Sequence, residues 1–311
     1  MTELDPQARA FLDQIRAMGA PPLPQQSLEE ARAGYALLAE MEGVVPHPVP
    51  TEDRTVPGPA GGIPVRIYRP DTDGPSPLVV YFHGGGWVIG DIASSEAVCQ
   101  RLAHGVPAVV VNVDYRLAPE HPFPAAVEDA DAAVAWVAAH ATELGGDGGR
   151  LAVAGDSAGG NLAAVVARHA RDAGGPAVAF QLLIYPATDM TLSLPSYREN
   201  GEGYLLETAT MAWFIDHYLG ATDPRDPDAS PLFADDLSGL PPALVVTAGF
   251  DPLRDEGEGY AERLRLAGVA VTTSRYDGMF HGFYGLDSLF DAAAAATAET
   301  VGALRHALAG P

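Results

Sequence analysis

The sequence predicts an α/β fold, in which a mostly parallel sheet lies between layers of helices. Apolar, β-branched runs alternate with alanine-rich helical patterns, and the runs are apolar on successive positions, as in strands buried on both faces. The 311 residues, 47% of them hydrophobic, suffice for one large core. The predicted strands are IPVRIY (63–68), PLVVYF (77–82), AVVVNV (108–113), RLAVAG (150–155), FQLLIY (180–185), ALVVTAG (243–249) and VAVTTSRY (269–276). The predicted crossover helices are 124–141, 159–174 and 258–268.

Two short helices are predicted ahead of this sheet. Asp5 suits an N-cap, Pro6 a first helical position, and Gly19 a helix end. Ser27 followed three residues later by Glu30 forms a capping-box pattern for the second helix. The N-terminal segment is therefore expected to be helical.

The proline-rich stretch VPHPVP (45–50) separates an N-terminal arm, 1–50, from the body, 51–311. Nearly sixty residues lie between the predicted strands that end at 185 and begin at 243, which is too long for a simple crossover. They include a helical pattern at 208–220. We expect a cap insertion at about 187–225 that forms a helical cap together with the arm.

Charge and composition exclude several classes of protein. A formal net charge of −23 disfavours binding to nucleic acid or to an anionic membrane and favours a small-molecule partner. All cationic side chains are arginines, so a Schiff-base lysine and a P-loop lysine are excluded. Neither H-E-x-x-H nor a paired-cysteine pattern occurs, so we expect no metal and no cofactor.

The expected compartment is the cytoplasm. Cys99 is the one cysteine and cannot form an internal disulfide. The N-terminal residues mix acidic and apolar side chains, unlike a signal peptide, and no apolar stretch is long enough to span a bilayer. We therefore expect no membrane insertion.

The stretch LAVAGDSAGGNLAAVV (151–166) places a serine where a predicted strand turns into a helix. A G-x-S-x-G match in that context exposes the serine hydroxyl at a sharp turn. Gly155 and Gly159 relieve crowding around Ser157. A purely structural turn is the alternative that the match alone leaves open.

A serine nucleophile needs a histidine base. His281 follows the predicted strand 269–276 in DGMFHGF, at a carboxyl end, where open α/β sheets form their ligand crevice. Other histidines lie on predicted helices and are expected to be exposed, namely His140, His169, His217 and His306. His281 is the candidate base.

The acid that orients this histidine should lie between the serine and the histidine in the chain. Asp251, in FDPLRDEG, directly follows the predicted strand 243–249. Asp255 and Glu256 lie farther on, where the next helix begins. Asp251 is the candidate acid, and the alternative is that it caps that helix, a role that suits Asp255 better.

Attack on a carbonyl also requires N–H donors for the oxyanion. The strand PLVVYF runs into HGGGWVIGD (83–91), where glycines let backbone amides approach a ligand closely. The spacing does not match G-x-G-x-x-G, so nucleotide binding is a poor interpretation. The candidate oxyanion hole is Gly84, Gly85, Gly86 and Ala158, with Gly85, Gly86 and Ala158 as the expected donors.

Apolar residues of the predicted cap and crevice rim are candidates for the substrate pocket. They are Trp87, Leu205, Leu206, Trp213, Phe214 and Phe283. The alternative for each is that it packs the cap against the body. His83 and Asp156 are expected to shape their loops rather than to react.

With these motifs in place, the chain resembles the hormone-sensitive-lipase-like family of α/β-hydrolase esterases, the bacterial family IV carboxylesterases. The resemblance spans roughly residues 60 to 290 and is carried by HGGGW (83–87), NVDYRLAPEHPFPAA (112–126), GDSAGGNLA (155–163), DPLRDEG (251–257) and the HGF at His281. It implies Ser157, Asp251 and His281 as the triad, the HGGG loop as the oxyanion hole, and a cap. The stretch 112–126 is implied to be architectural, with no chemistry for Arg116 or Glu120.

The function that follows is hydrolysis of short- to medium-chain carboxylic esters through an acyl-enzyme intermediate. An amidase, a formamidase or a lactonase could use the same triad, and the motifs do not separate these. A non-catalytic receptor on the same fold, as in plant gibberellin receptors, would be expected to lose the base, which is present here. Members of the family are often dimers, so a homodimer stays open.

Overall fold

An eight-stranded sheet runs through the computed structural model of the protein, which describes residues 3–41, 45 and 47–310. The strands are β1 (Thr51–Gly58), β2 (Gly61–Tyr68), β3 (Ser76–Phe82), β4 (Val109–Val113), β5 (Gly146–Asp156), β6 (Phe180–Ile184), β7 (Ala243–Phe250) and β8 (Val271–Phe280). Each predicted strand overlaps one of them, so the predicted α/β class is confirmed. β1 was not predicted, because it is a polar edge strand in which only Val56 is buried.

The strands are ordered β1-β2-β4-β3-β5-β6-β7-β8. β2 pairs antiparallel with both β1 and β4, and all other pairs are parallel. The carboxyl ends of β3, β5, β7 and β8 therefore lie along the same edge of the sheet. That edge receives the predicted site segments.

Helices cover both faces of the sheet. They are α1 (Pro6–Met18), α2 (Leu28–Glu40), α3 (Glu96–Gly105), α4 (Ala125–Ala139), α5 (Ala158–Asp172), α6 (Ser196–Glu199), α7 (Thr208–Leu219), α8 (Arg254–Leu266) and α9 (Asp291–Ala307). In β3, Val80 packs in the core beside α4, α5 and α8, whereas its neighbour Val79 packs in the core beside α3 and α9. This two-sided burial explains why the strand sequences are apolar at successive positions.

The caps predicted for the arm are present. Asp5 accepts a hydrogen bond from Gln7 N at 2.7 Å, and Gly19 ends α1 with φ 67°. The backbone N–H of Ser27 donates to Glu30 Oε2 at 2.8 Å, and Glu30 N–H donates to Ser27 Oγ at 3.2 Å. The capping box is thus reciprocal, as the sequence predicts.

The arm touches the body at several points. α1 packs against β8, and Asp5 N–H donates to Gly278 O at 2.9 Å. α2 packs on the short turn Ala93–Ser95, and the turn Leu23–Gln25 contacts α7. Pro46, in the predicted proline-rich separator, lies outside the described residues. Within the part of the chain described, every helix is too short or too polar to cross a bilayer.

Candidate active site

Ser157 sits at the turn between β5 and α5, with φ 54° and ψ −116°. A non-glycine residue rarely adopts this conformation, and it is typical of a nucleophile elbow. The two flanking glycines are required by close packing. A Cβ on Gly155 would lie 2.3 Å from the backbone of Gly159, and one on Gly159 would lie 1.8 Å from Phe82 O. The elbow is therefore pressed against the end of β3.

The structure brings Ser157, His281 and Asp251 together at the carboxyl edge of the sheet. His281 Nε2 lies 3.0 Å from Ser157 Oγ, and His281 Nδ1–H donates to Asp251 Oδ2 at 2.8 Å. Asp251 is fully buried, and the other two are 8% exposed. Because β8 continues to Phe280, His281 directly follows a strand that is longer than predicted. The ring of Tyr185 is tilted against the imidazole of His281, and the two ring centroids are 4.4 Å apart.

The acid has further partners that fix its position. Its Oδ1 accepts the N–H of Leu253 at 2.7 Å, just ahead of α8, and Asn200 donates to its backbone carbonyl at 3.0 Å. The prediction that Asp255 caps α8 is wrong, because Asp255 lies within the helix and accepts from Ser196 N–H instead. No motif around Asn200, which lies in the insertion, indicates that it contacts Asp251.

Glu256, in the first turn of α8, is a buried carboxyl beneath the insertion. It accepts hydrogen bonds from Thr188 N–H and from the hydroxyl of Tyr197, both at 2.7 Å. Burial raises the pKa of Glu256 well above its ordinary value. This contact joins the start of the insertion to the segment that carries Asp251.

The loop after β3 brings the predicted oxyanion donors beside Ser157. The N–H of Gly84, which is in the candidate oxyanion hole but is not one of its expected donors, donates to Asp156 Oδ1 at 3.0 Å. Gly85 and Gly86 have φ of 111° and 59°, and Cβ atoms there would lie 2.1 Å from Ile89 O and 2.2 Å from the Phe214 ring. Among the described residues, none accepts a hydrogen bond from the N–H of Gly85, Gly86 or Ala158.

Asp156 and His83 shape these loops, as expected. Asp156 Oδ1 also accepts the hydroxyl of Tyr81 at 2.8 Å, so one carboxylate ties the elbow to the loop after β3. Burial raises the pKa of Asp156. His83 Nδ1–H donates to Gly84 O at 2.7 Å, its ring stacks on Tyr115, and burial lowers its pKa to about 4. His83 is thus a neutral structural histidine.

A cavity of about 200 Å³ opens onto Ser157 and His281. Leu205, Leu206 and Phe214 line it, as the sequence predicts, while Leu23 and Tyr35 of the arm are additional wall residues. Further aromatic walls come from Tyr81, Tyr185 and Tyr284. Tyr185 directly follows β6 at the carboxyl edge of the sheet. That position in the sequence could have identified it as a wall residue.

Three predicted pocket residues do not line the cavity. Trp87 is fully buried and stacks on Tyr218, with ring centroids 4.5 Å apart. Phe283 is fully buried beside Tyr185 and other aromatic rings. Trp213 is half-buried and packs beside Phe214 against the core. For these three residues, the alternative interpretation as packing residues applies.

The histidines predicted to be exposed differ from one another. His306 is exposed, whereas His140 and His217 are half-buried and bond to carbonyls of their own helices. His169 is also half-buried and lies between two carboxylates, so the expectation of exposure is right for His306 and wrong for the other three. These partners come from α4 and from the loop after α7, which a local pattern does not reveal.

Similarity to known proteins extends over nearly the whole chain. The model of a family described as an α/β-hydrolase fold matches residues 79–285. The chain is 47% identical over 311 residues to the carboxylic ester hydrolase LipN of Mycobacterium tuberculosis, covering 97% of this chain and 82% of that one. It is 40% identical to an ethyl acetate hydrolase of Pseudomonas putida, covering 79% of each. The solved structure of a hyperthermophilic esterase from Pyrobaculum calidifontis superposes with a TM-score of 0.93 at 45% identity, over 98% of both chains.

Proposed function

The chain belongs to the hormone-sensitive-lipase-like esterases of the α/β-hydrolase family, and on that premise we propose that Ser157, His281 and Asp251 hydrolyse carboxylic esters through an acyl-enzyme. The observation that carries this proposal is the unbroken chain of contacts, 3.0 Å from Ser157 Oγ to His281 Nε2 and 2.8 Å from Nδ1 to Asp251. These distances suit proton transfer in the ground state.

In the first half of the reaction, the Ser157 hydroxyl proton passes to His281 Nε2 while Oγ attacks the ester carbonyl carbon. The N–H groups of Gly85, Gly86 and Ala158 stabilise the charge on the carbonyl oxygen. His281 then returns the proton to the alkoxy oxygen as the C–O bond breaks, and the alcohol leaves. Asp251 orients the imidazole and stabilises its charged form.

In the second half, His281 takes a proton from water, whose oxygen attacks the acyl carbon. The bond to Ser157 Oγ breaks, Oγ regains its proton from His281, and the carboxylic acid departs. The same donors hold the second oxyanion. Two transfers through one imidazole therefore regenerate the starting state.

We propose short- to medium-chain esters as substrates and the arm with residues 187–225 as the cap. Leu23 and Tyr35 from the arm and Leu206 and Phe214 from the insertion support this, because they wall the cavity from above the sheet edge. A relative that hydrolyses ethyl acetate is consistent with a small acyl group. A cytoplasmic location rests on the single, buried Cys99, and a homodimer stays a prediction.

Replacement of the nucleophile tests the assignment. Ser157→Ala should lower kcat on an aryl acetate by on the order of 10⁶, by analogy with serine protease variants. A fluorophosphonate probe should label the parent and not the variant. Turnover of Ser157→Ala within tenfold of the parent would refute the role of Ser157.

A substrate series tests the bond and the chain length. Rates on aryl esters from acetate to decanoate, with the matching acetanilide, should show a maximum at short or medium length and little anilide cleavage. Anilide turnover above that of the ester would instead make the protein an amidase that uses the same three residues.

A further inference from the structure

Arg32 reaches from helix α2 of the arm to the loop that carries the oxyanion donors. Its Nε–H donates to Val88 O at 3.0 Å, and Nη2–H donates to Ala118 O at 3.3 Å. The guanidinium also forms a bidentate pair with Glu120, with both N–O distances 2.8 Å. The two carbonyls belong to fully buried residues and are shielded from water while Arg32 is in place.

The carbonyl of Val88 is part of the turn that sets the conformation of Gly85. The N–H groups of Val88 and Ile89 both donate to Gly85 O, at 3.1 Å and 2.9 Å. Ala118 braces the same turn, because its N–H donates to Trp87 O at 2.8 Å. Arg32 therefore binds both the turn and the segment that supports it.

The same arm forms part of the cavity wall. Leu23 precedes α2 and Tyr35 lies one turn beyond Arg32, and both line the cavity. Ala31, next to Arg32, is buried in the core under α2. The Arg32 side chain, which is one-third exposed, lies between Leu23 and Tyr35 in the chain and attaches this part of the arm to the body.

We propose that Arg32 is a positioning residue that couples the docked arm to the oxyanion loop, so that the donors of Gly85 and Gly86 are aligned only while the arm closes the cavity. The guanidinium acts through the carbonyls of Val88 and Ala118, and the half-exposed pair with Glu120 adds little to its position. This inference rests on the proposed esterase function. It predicts that Arg32 helps to stabilise the transition state and does not act on substrate binding alone.

The test compares kcat and KM of variants on an aryl acetate. Arg32→Met removes every donor and should lower kcat by roughly 10- to 100-fold, the effect of a small misalignment of reacting groups, with a smaller change in KM. Glu120→Gln removes the ion pair but leaves the two carbonyl contacts, so its kcat should fall by less than about threefold, in line with the small worth of a half-exposed pair. Arg16→Met is the matched control, because Arg16 is exposed on α1 and pairs with the exposed Asp13.

Circular dichroism and thermal unfolding establish that each variant is folded at the assay temperature. A folded Arg32→Met enzyme with kcat within twofold of the parent overturns the inference, as does a loss in Glu120→Gln as large as that in Arg32→Met. If Arg32→Met does not fold, Arg32→Lys replaces it, since lysine keeps the charge but not the forked geometry. Its kcat should fall at least threefold, and parent-like kcat overturns the inference. An inactive parent would refute the esterase function instead.

Discussion

The carboxyl edge of the sheet differs in construction from the cavity wall formed by the arm and residues 187–225, here called the roof. At the edge, Ser157, His281 and Asp251 are buried and joined by short polar contacts, and the elbow glycines leave no free space. The roof consists mainly of apolar side chains such as Leu206 and Phe214. It is joined to the body by polar contacts, such as that of Arg32 with Val88 O, and by packing, such as that of Tyr218 on Trp87.

This difference indicates that the chemistry depends on polar contacts at the edge, whereas selectivity depends on the apolar side chains of the roof. A displaced polar group at the edge removes an element of the mechanism, because each contact has one partner and one geometry. A shortened apolar side chain in the roof changes the space available, and neighbouring groups can partly fill it. Changes at the edge should therefore alter kcat by orders of magnitude, whereas shortening an apolar side chain of the roof should alter substrate preference.

Among the variants that test this difference, the largest effect is expected from an isosteric change at the edge. Asp251→Asn preserves shape but cannot stabilise the charged imidazole or hold the required tautomer, so kcat should fall by roughly 10⁴. The control is Asp255→Asn, because Asp255 lies four residues away and bonds to Ser196 N–H rather than to His281. Steady-state kinetics on an aryl acetate measures both. An Asp251→Asn enzyme that keeps a tenth of parental turnover would contradict the assignment of the acid.

The oxyanion loop should show the next largest effect. Gly85→Ala places a Cβ 2.1 Å from Ile89 O at a φ of 111°, so the loop must shift and its donors must turn away. Loss of one oxyanion donor costs roughly 10² to 10³ in kcat, and we expect that range. Gly268→Ala is the control, because Gly268 also has a positive φ, 84°, but lies in open space after α8. Similar kcat losses in both variants would argue that backbone strain alone, not donor alignment, lowers activity.

The edge could be predicted from the sequence to a large extent, whereas the roof could not. Strand runs and the motifs around Ser157 and His281 are local, and their placement at carboxyl strand ends follows from parallel pairing. Whether an aromatic residue lines a cavity depends on packing between distant segments. Trp87 was therefore expected in the pocket but is buried against Tyr218, while Tyr35 of the arm was not anticipated.

The roof itself is tested by two adjacent residues of α7. Phe214 lines the cavity and Trp213 does not, so Phe214→Ala should enlarge the space for the substrate while Trp213→Ala should not. We expect the ratio of kcat/KM for an aryl hexanoate over the acetate to rise by roughly tenfold in Phe214→Ala, within the range that hydrophobic pockets discriminate. The ratio in Trp213→Ala should match the parent. An unchanged ratio in Phe214→Ala would mean that Phe214 does not limit chain length.

The smallest expected effect is on stability. It concerns the contacts of His169 with two carboxylates, where the chain returns from the insertion to the body. His169 on α5 bonds through Nδ1 to Asp131 of α4 at 2.8 Å and through Nε2 to Asp228 of the returning loop at 2.9 Å. The carboxylates of Asp131 and Asp228 raise the pKa of His169 to about 9 from an ordinary 6.5. A raised folded pKa means that the contribution to stability is complete below about pH 6.5 and is lost as the pH rises through about 9.

Replacing this histidine should therefore change stability with pH while leaving the chemistry intact. His169→Asn should lower Tm by roughly 1–2 °C at about pH 6, equivalent to about 1 kcal/mol for a chain of this size, and by less at about pH 10. Thermal unfolding at the two pH values measures this, and His306→Asn, at an exposed position, is the control. The kcat on an aryl acetate should stay within twofold of the parent, because His169 does not line the cavity. A Tm difference that is equal at both pH values would show that the side chain stabilises by packing and not by its charge, and a large loss of kcat would show that the edge depends on this distant attachment.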